Sequence, residues 1–167
     1  MKKLNHLFVA FLLLAFTALA NAAALSDYLE NKLLDTLVRG QVFTMPATVH
    51  FALATTAGSD VACGTEVAVG AYARVAVASS LANWAGTQGA GTTVASSGTG
   101  GTTSNNAVIT FPAPTANWGV VVEYCVFDAA TAGNLLWRSA LTTPKTINSG
   151  DAAPSFAAGA STFQIDN

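Results

Sequence analysis

Thr48-Val49-His50-Phe51-Ala52-Leu53 decides the fold class. Val49, Phe51 and Leu53 recur every second residue, which is the period of a strand with one apolar face. On that reading His50 faces solvent. The same period returns in Tyr72-Ala73-Arg74-Val75-Ala76-Val77, where Val75 and Val77 oppose Tyr72 and Arg74. Working outward, further short segments rich in β-branched or aromatic residues lie at Val108 to Phe111, Gly119 to Phe127, Asn134 to Ala140, Lys145 to Asn148 and Thr162 to Asp166. Gly, Pro, Asn and Asp divide them. Pro112 and Pro114 end one strand, because proline cannot donate to a ladder. Asp128 to Asn134, with Gly133-Asn134, reads as a hairpin loop in which Asp128 accepts backbone N–H groups. Several short strands with no helices between them predict a mainly β fold, an antiparallel, jelly-roll-like β-sandwich.

One helix precedes the strands, over residues 26–39. Ser26 is a natural N-cap, Asp27 and Glu30 sit at the positive end of the dipole, and Gly40 suits the left-handed position after the last turn. Leu29, Leu33 and Leu37 form an apolar stripe, widened by Leu25, Tyr28, Leu34 and Val38. The stripe packs either on its own sheet or on a neighbouring subunit, which makes Leu29, Leu33 and Leu37 the candidate assembly contact.

The first 22 residues read differently. Met1-Lys2-Lys3 is a positive start, Leu7 to Ala20 is apolar except for Thr17, and Ala20-Asn21-Ala22 is a small-x-small site. That order predicts a secretory signal peptide cut after Ala22, leaving a single domain over residues 23–167. An uncleaved hydrophobic leader acting as a membrane anchor is the rival. No cysteine follows the leader to carry a lipid, since the first is Cys63.

Of 167 residues about half are apolar and 10% are charged, with mean hydropathy +0.45. This excludes a disordered chain. Seven basic against nine acidic residues give a net charge of −2. No basic run follows Lys2-Lys3, so nucleic acid is not an expected partner. Gly86 to Asn106 is almost wholly Gly, Thr, Ser and Ala, and predicts an exposed loop or loose edge.

Sites of chemistry are not expected, and neither is a cofactor. No GxSxG, HExxH or GxxxxGK[ST] occurs, and His50 has no partner motif. The acids Asp60, Glu66, Glu123, Asp128, Asp151 and Asp166 are scattered without the facing pair a glycosidase needs. Glu123 is expected on the solvent face of its strand. Cys63 and Cys125 lack metal-ligand spacing; they either pair as a disulfide or remain two inert thiols. Trp84, Trp118 and Trp137 belong to core or subunit packing, or, if exposed, to a sugar-stacking surface.

An ordered set of fragments adds a resemblance. Ser26-Asp27-Tyr28-Leu29-Glu30-Asn31 is followed by Pro46-Ala47-Thr48-Val49, Gly64-Thr65-Glu66-Val67 and Gly70-Ala71-Tyr72-Ala73-Arg74. Ile109-Thr110-Phe111-Pro112, Asn117-Trp118-Gly119, Phe127-Asp128-Ala129-Ala130 and Leu141-Thr142-Thr143-Pro144-Lys145 continue it. Over residues 25 to 167 the chain resembles a family of small tailed-phage and prophage proteins regarded as virion structural or tail-associated. The resemblance implies a non-enzymatic virion subunit, tail-associated or decorating the particle, that meets copies of itself and other virion proteins. A cleaved leader would add secretion or periplasmic passage. The alternative is a secreted or surface-exposed β-sandwich module, with glycan as a candidate ligand. A small secreted hydrolase is the third and weakest reading.

Overall fold

The computed structural model describes residues 24–97 and 100–165; the expected leader, residues 1–22, lies outside the described residues. The chain runs β1 (Ala24–Leu25), α1 (Asp27–Val38), β2 (Thr48–Ala54), β3 (Val75–Ala78), β4 (Thr102–Ser104), β5 (Ile109–Thr110), β6 (Gly119–Phe127), β7 (Leu135–Ile147), β8 (Ser155–Phe156) and β9 (Thr162–Gln164). Five strands form an antiparallel sheet in the order β1-β7-β6-β2-β3. Two ribbons, β4 with β9 and β5 with β8, make up the second layer. Among the described residues the fold is mainly β with one helix near the N-terminal side, as the patterning predicts.

Alternation on β2 builds the main core. Val49, Phe51 and Leu53 are buried on one face, joined by Val121, Tyr124, Val126 and Trp137 from β6 and β7. Phe51 is wholly enclosed by aromatic rings: Tyr124 stacks at 5.7 Å and Trp84 at 6.0 Å, while Trp137 meets it edge-on at 6.5 Å. Phe156 of the β5–β8 ribbon closes the site at 6.1 Å, and Phe163 of β9 packs on Trp137 at 4.7 Å. The ribbons therefore do the work of a second sheet with few residues, by placing one aromatic side chain each over the five strands.

The opposite face of the sheet is also covered. Ala52, Cys125, Phe127 and Leu135 form a second, smaller core there. A register shift between Val121 and Glu123 lets Val121 and Tyr124 share the main core despite their odd spacing.

Several boundaries differ from the sequence expectation. The segments at Asn134 to Ala140 and Lys145 to Asn148 are one strand, β7, which carries Pro144 through a stretch where β6 does not pair with it. A proline costs no ladder bond there. The strand expected from Tyr72 begins only at Val75. Gly86 to Asn106 is not wholly loose, because Thr102–Ser104 pairs with Thr162–Gln164. Asn105 is buried and pins the last ribbon: its side-chain amide donates to the carbonyls of Ala107 at 2.7 Å and Ala157 at 2.8 Å, and its Oδ1 accepts from Ser161 N–H at 2.9 Å. His50 is half-buried rather than free in solvent, since its face of β2 is the covered one.

The turn after β6 follows the expectation. Asp128 Oδ1 accepts from Asn134 N–H at 2.7 Å, and Gly133 takes φ +78°, which glycine adopts without strain.

Candidate assembly face and its supporting clasp

Helix α1 is anchored at its first turn and open at its last. Ser26 Oγ accepts from Leu29 N–H at 3.2 Å, as an N-cap should. The same residue is tied to the sheet: its N–H donates to Leu136 O at 2.9 Å and its hydroxyl to Leu135 O. The Asp27 N–H donates to Asp60 O at 3.0 Å. Gly40 takes φ +67° beyond the helix end.

The leucine stripe divides along this axis. Leu29 is buried, Leu33 is half-buried against the core, and Leu37 is 78% exposed. Leu34, Val38, Val42 and Met45 continue the exposed apolar surface. Beside it runs an apolar groove of about 540 Å³, lined among others by Leu29, Leu33, Met45, Leu81, Trp84 and Phe163. The first turn of the stripe packs on β7, and among the described residues nothing covers its last turn.

The tryptophans are packing residues. Trp118 and Trp137 are buried, and Trp118 stands edge-on to Tyr72 at 5.3 Å. Trp84 is half-buried, stacked on Phe51 and bordering the groove.

Two polar constellations lock the sheet, and neither is visible as a motif. In the first, Glu66 holds Arg74 through both carboxylate oxygens, at 2.9 and 2.7 Å. Arg74 also donates to the carbonyls of Ala129 and Ala132 at 2.9 and 2.7 Å, and lies 3.6 Å from the ring centre of Phe127. Tyr72 completes the group: its hydroxyl donates to Glu66 at 2.9 Å and accepts from Leu53 N–H at 3.0 Å. Burial pushes the Tyr72 phenol far above its usual range, and the Glu66 charge adds to the shift against the lowering effect of the Leu53 N–H.

The second centres on Glu123, and here the sequence expectation fails. Glu123 is 1% exposed, not on a solvent face. Residues 55–65 fold back over that face of the sheet, so strand alternation there points into protein. Both carboxylate oxygens accept from Gly58 N–H at 3.1 Å, and Arg138 Nη1 donates at 3.2 Å. Arg138 Nη2 reaches Asp60 at 3.2 Å. Cys63 of the covering loop is joined to Cys125 of β6, with Cα atoms 5.9 Å apart. Of the two states the sequence allowed, the structure carries the disulfide. Cys63, Glu123 and Cys125 lie within 4.8 Å of one another, the spacing of a metal site. The two sulfurs are bonded to each other and Glu123 already serves Gly58 and Arg138, so the cluster offers no thiolate ligand. Its chemistry is that of a structural clasp.

No curated protein matches the chain. A family profile described as podophage GP4 fiber I protein gp80 matches residues 24–164, which takes in every strand of the fold, the helix and both polar constellations. The chain belongs to this phage fiber protein family.

Proposed function

We propose that this protein is a non-enzymatic structural subunit of a tailed-phage particle, built into its fiber and associated there with other virion proteins. The observation that carries the reading is the family match across residues 24–164. The polar chemistry of the fold agrees with it. Glu123, which packing encloses, and Glu66, which is partly exposed, are committed to Arg138 and Arg74 as framework pairs. The exposed apolar surface around Leu33 and Leu37 supplies the contact with a neighbouring subunit, a second copy of this chain or another fiber protein.

A secreted glycan-binding module would need aromatic faces free for stacking. Trp118 and Trp137 are spent in the core, and Trp84 gives one face to Phe51. The test is mass spectrometry of purified particles, combined with antibody labelling in electron micrographs. Peptides of this chain in the particle and label along the fiber are the expected result, and the first mature peptide reports the fate of the leader. Recovery of the protein only from the medium, free of particles, would overturn the proposal in favour of the binding module.

A further inference from the structure

Residues 55–65 leave β2 and return to it at a single bridge, Ala54 opposite Glu66. No side chain in that loop is fully buried. Apolar packing therefore does little to hold it, and segments of this kind open first. What holds it is a short circuit of polar and covalent pins. Thr55 N–H donates to Thr65 O at 2.8 Å. Gly58 N–H is bound to Glu123, Asp60 is paired with Arg138, and Arg138 is paired in turn with Glu123. Cys63 is bonded to Cys125. Asp60 also faces the other way, since its carbonyl receives the Asp27 N–H at the start of α1.

We propose that residues 55–65 are a redox-operated clasp: the Cys63–Cys125 bond closes it, exchange with outside sulfur compounds runs through Cys63, and opening it removes one pin from the start of α1, the Asp60 carbonyl that holds the Asp27 N–H. The two sulfurs are not equivalent. Cys125 is wholly buried in mid-sheet, paired across the ladders with Ala52 and Arg138, and its sulfur lies 3.3 Å from a Glu123 carboxylate oxygen. Cys63 sits on the loop and is only half-buried. Exchange needs a thiolate to reach a sulfur, and the neighbouring carboxylate opposes a second negative charge at Cys125.

Closing the clasp then follows a fixed order. The Cys63 thiolate attacks a small-molecule disulfide, forms a mixed disulfide and releases one thiolate. The Cys125 thiol, losing its proton, attacks the Cys63 sulfur and releases the second. Two protein thiols give up two electrons and two protons, and the outside disulfide becomes two thiols. In a reducing compartment the reverse exchange keeps the clasp open. The redox state of the surroundings thereby reaches the helix that carries Leu33 and Leu37.

Hydrogen exchange on the full-length protein, oxidised and after dithiothreitol, tests the coupling. Reduction should speed exchange at least about tenfold in residues 55–66 and at the Asp27 amide, with β2 and β6 amides still protected. Unchanged exchange at Asp27, or loss of protection throughout the chain, would overturn the clasp. A second measurement tests the order. Reduced wild-type protein is exposed briefly to oxidised glutathione, quenched with acid and digested. The mixed disulfide should be found on the Cys63 peptide at least about ten times more often than on the Cys125 peptide. Equal amounts, or more on Cys125, would overturn it.

Discussion

Arg138 reaches across from β7 to meet Glu123 on β6, Nη1 to Oε2 at 3.2 Å, and the residue it meets is only 1% exposed. Removing a buried partner leaves the other polar groups uncompensated. Glu123→Ala should therefore cost roughly 3 kcal/mol in urea denaturation, near the low end of the 3–5 range because Arg138 keeps Asp60. Glu123→Gln, which preserves an acceptor for Gly58, should cost less. An unchanged midpoint for the alanine variant would mean that the carboxylate is not a structural pin.

Phe51 carries the largest single share of the aromatic core. It is fully buried, with Trp84, Tyr124, Trp137 and Phe156 around it. Phe51→Ala removes both transfer energy and contacts that neighbours cannot restore, at about 3–5 kcal/mol. Val42→Ala, at a side chain 93% exposed, should stay within about 0.5 kcal/mol of wild type. Denaturant midpoints of the two variants measure the contrast.

The helix stripe gives a paired test. Leu29→Asp places a charge in the packed first turn and should unfold the domain, seen as loss of far-ultraviolet circular dichroism. Leu37→Asp changes a side chain that the protomer leaves in solvent, so its spectrum should match wild type. If the last turn is a subunit contact, the same variant loses the oligomer in sedimentation and fails to enter particles. Leu37→Asp particles with a normal complement of the protein would remove this face from the interface.

Alkali should destabilise the fold through Tyr72. Its phenol ionises far more readily in the unfolded chain, near the ordinary value of about 10, than in the fold. Above that pH the unfolded state loses a proton that the folded state keeps, so stability falls as pH rises; below it the contribution is intact. Tyr124, also raised by burial, adds in the same direction. Denaturant midpoints between pH 8 and about 11 should decline for wild type and decline less for Tyr72→Phe. Equal slopes would show that Tyr72 is not the coupled group.

What the sequence made legible was local. Val49, Phe51 and Leu53 show their common face by spacing alone, and Ser26, Gly40 and the Asp128–Asn134 turn announce themselves by residue type. The Glu123 site was not legible, because alternation says which residues share a face but not what covers it. Its cover comes from residues 55–65, some 60 positions away along the chain, and carries no apolar pattern of its own. The ribbons were partly missed for a related reason. Strands such as Ser155–Phe156 are too short to show a period, and they exist because Phe156 fits over Phe51. Pro144 suggested a break where the structure has only an unpaired stretch of one long strand.

Ser26 is fastened to Leu135 and Leu136, a sequence separation of 109 for its hydroxyl. During synthesis at about 5–20 residues per second, the start of the helix thus waits roughly 5–20 seconds for its anchor to be made. Contacts this remote in sequence also make for slow folding, since the intervening chain must be gathered first. A nascent chain of this topology stays loose for most of its manufacture. In that state molecular chaperones have time to act.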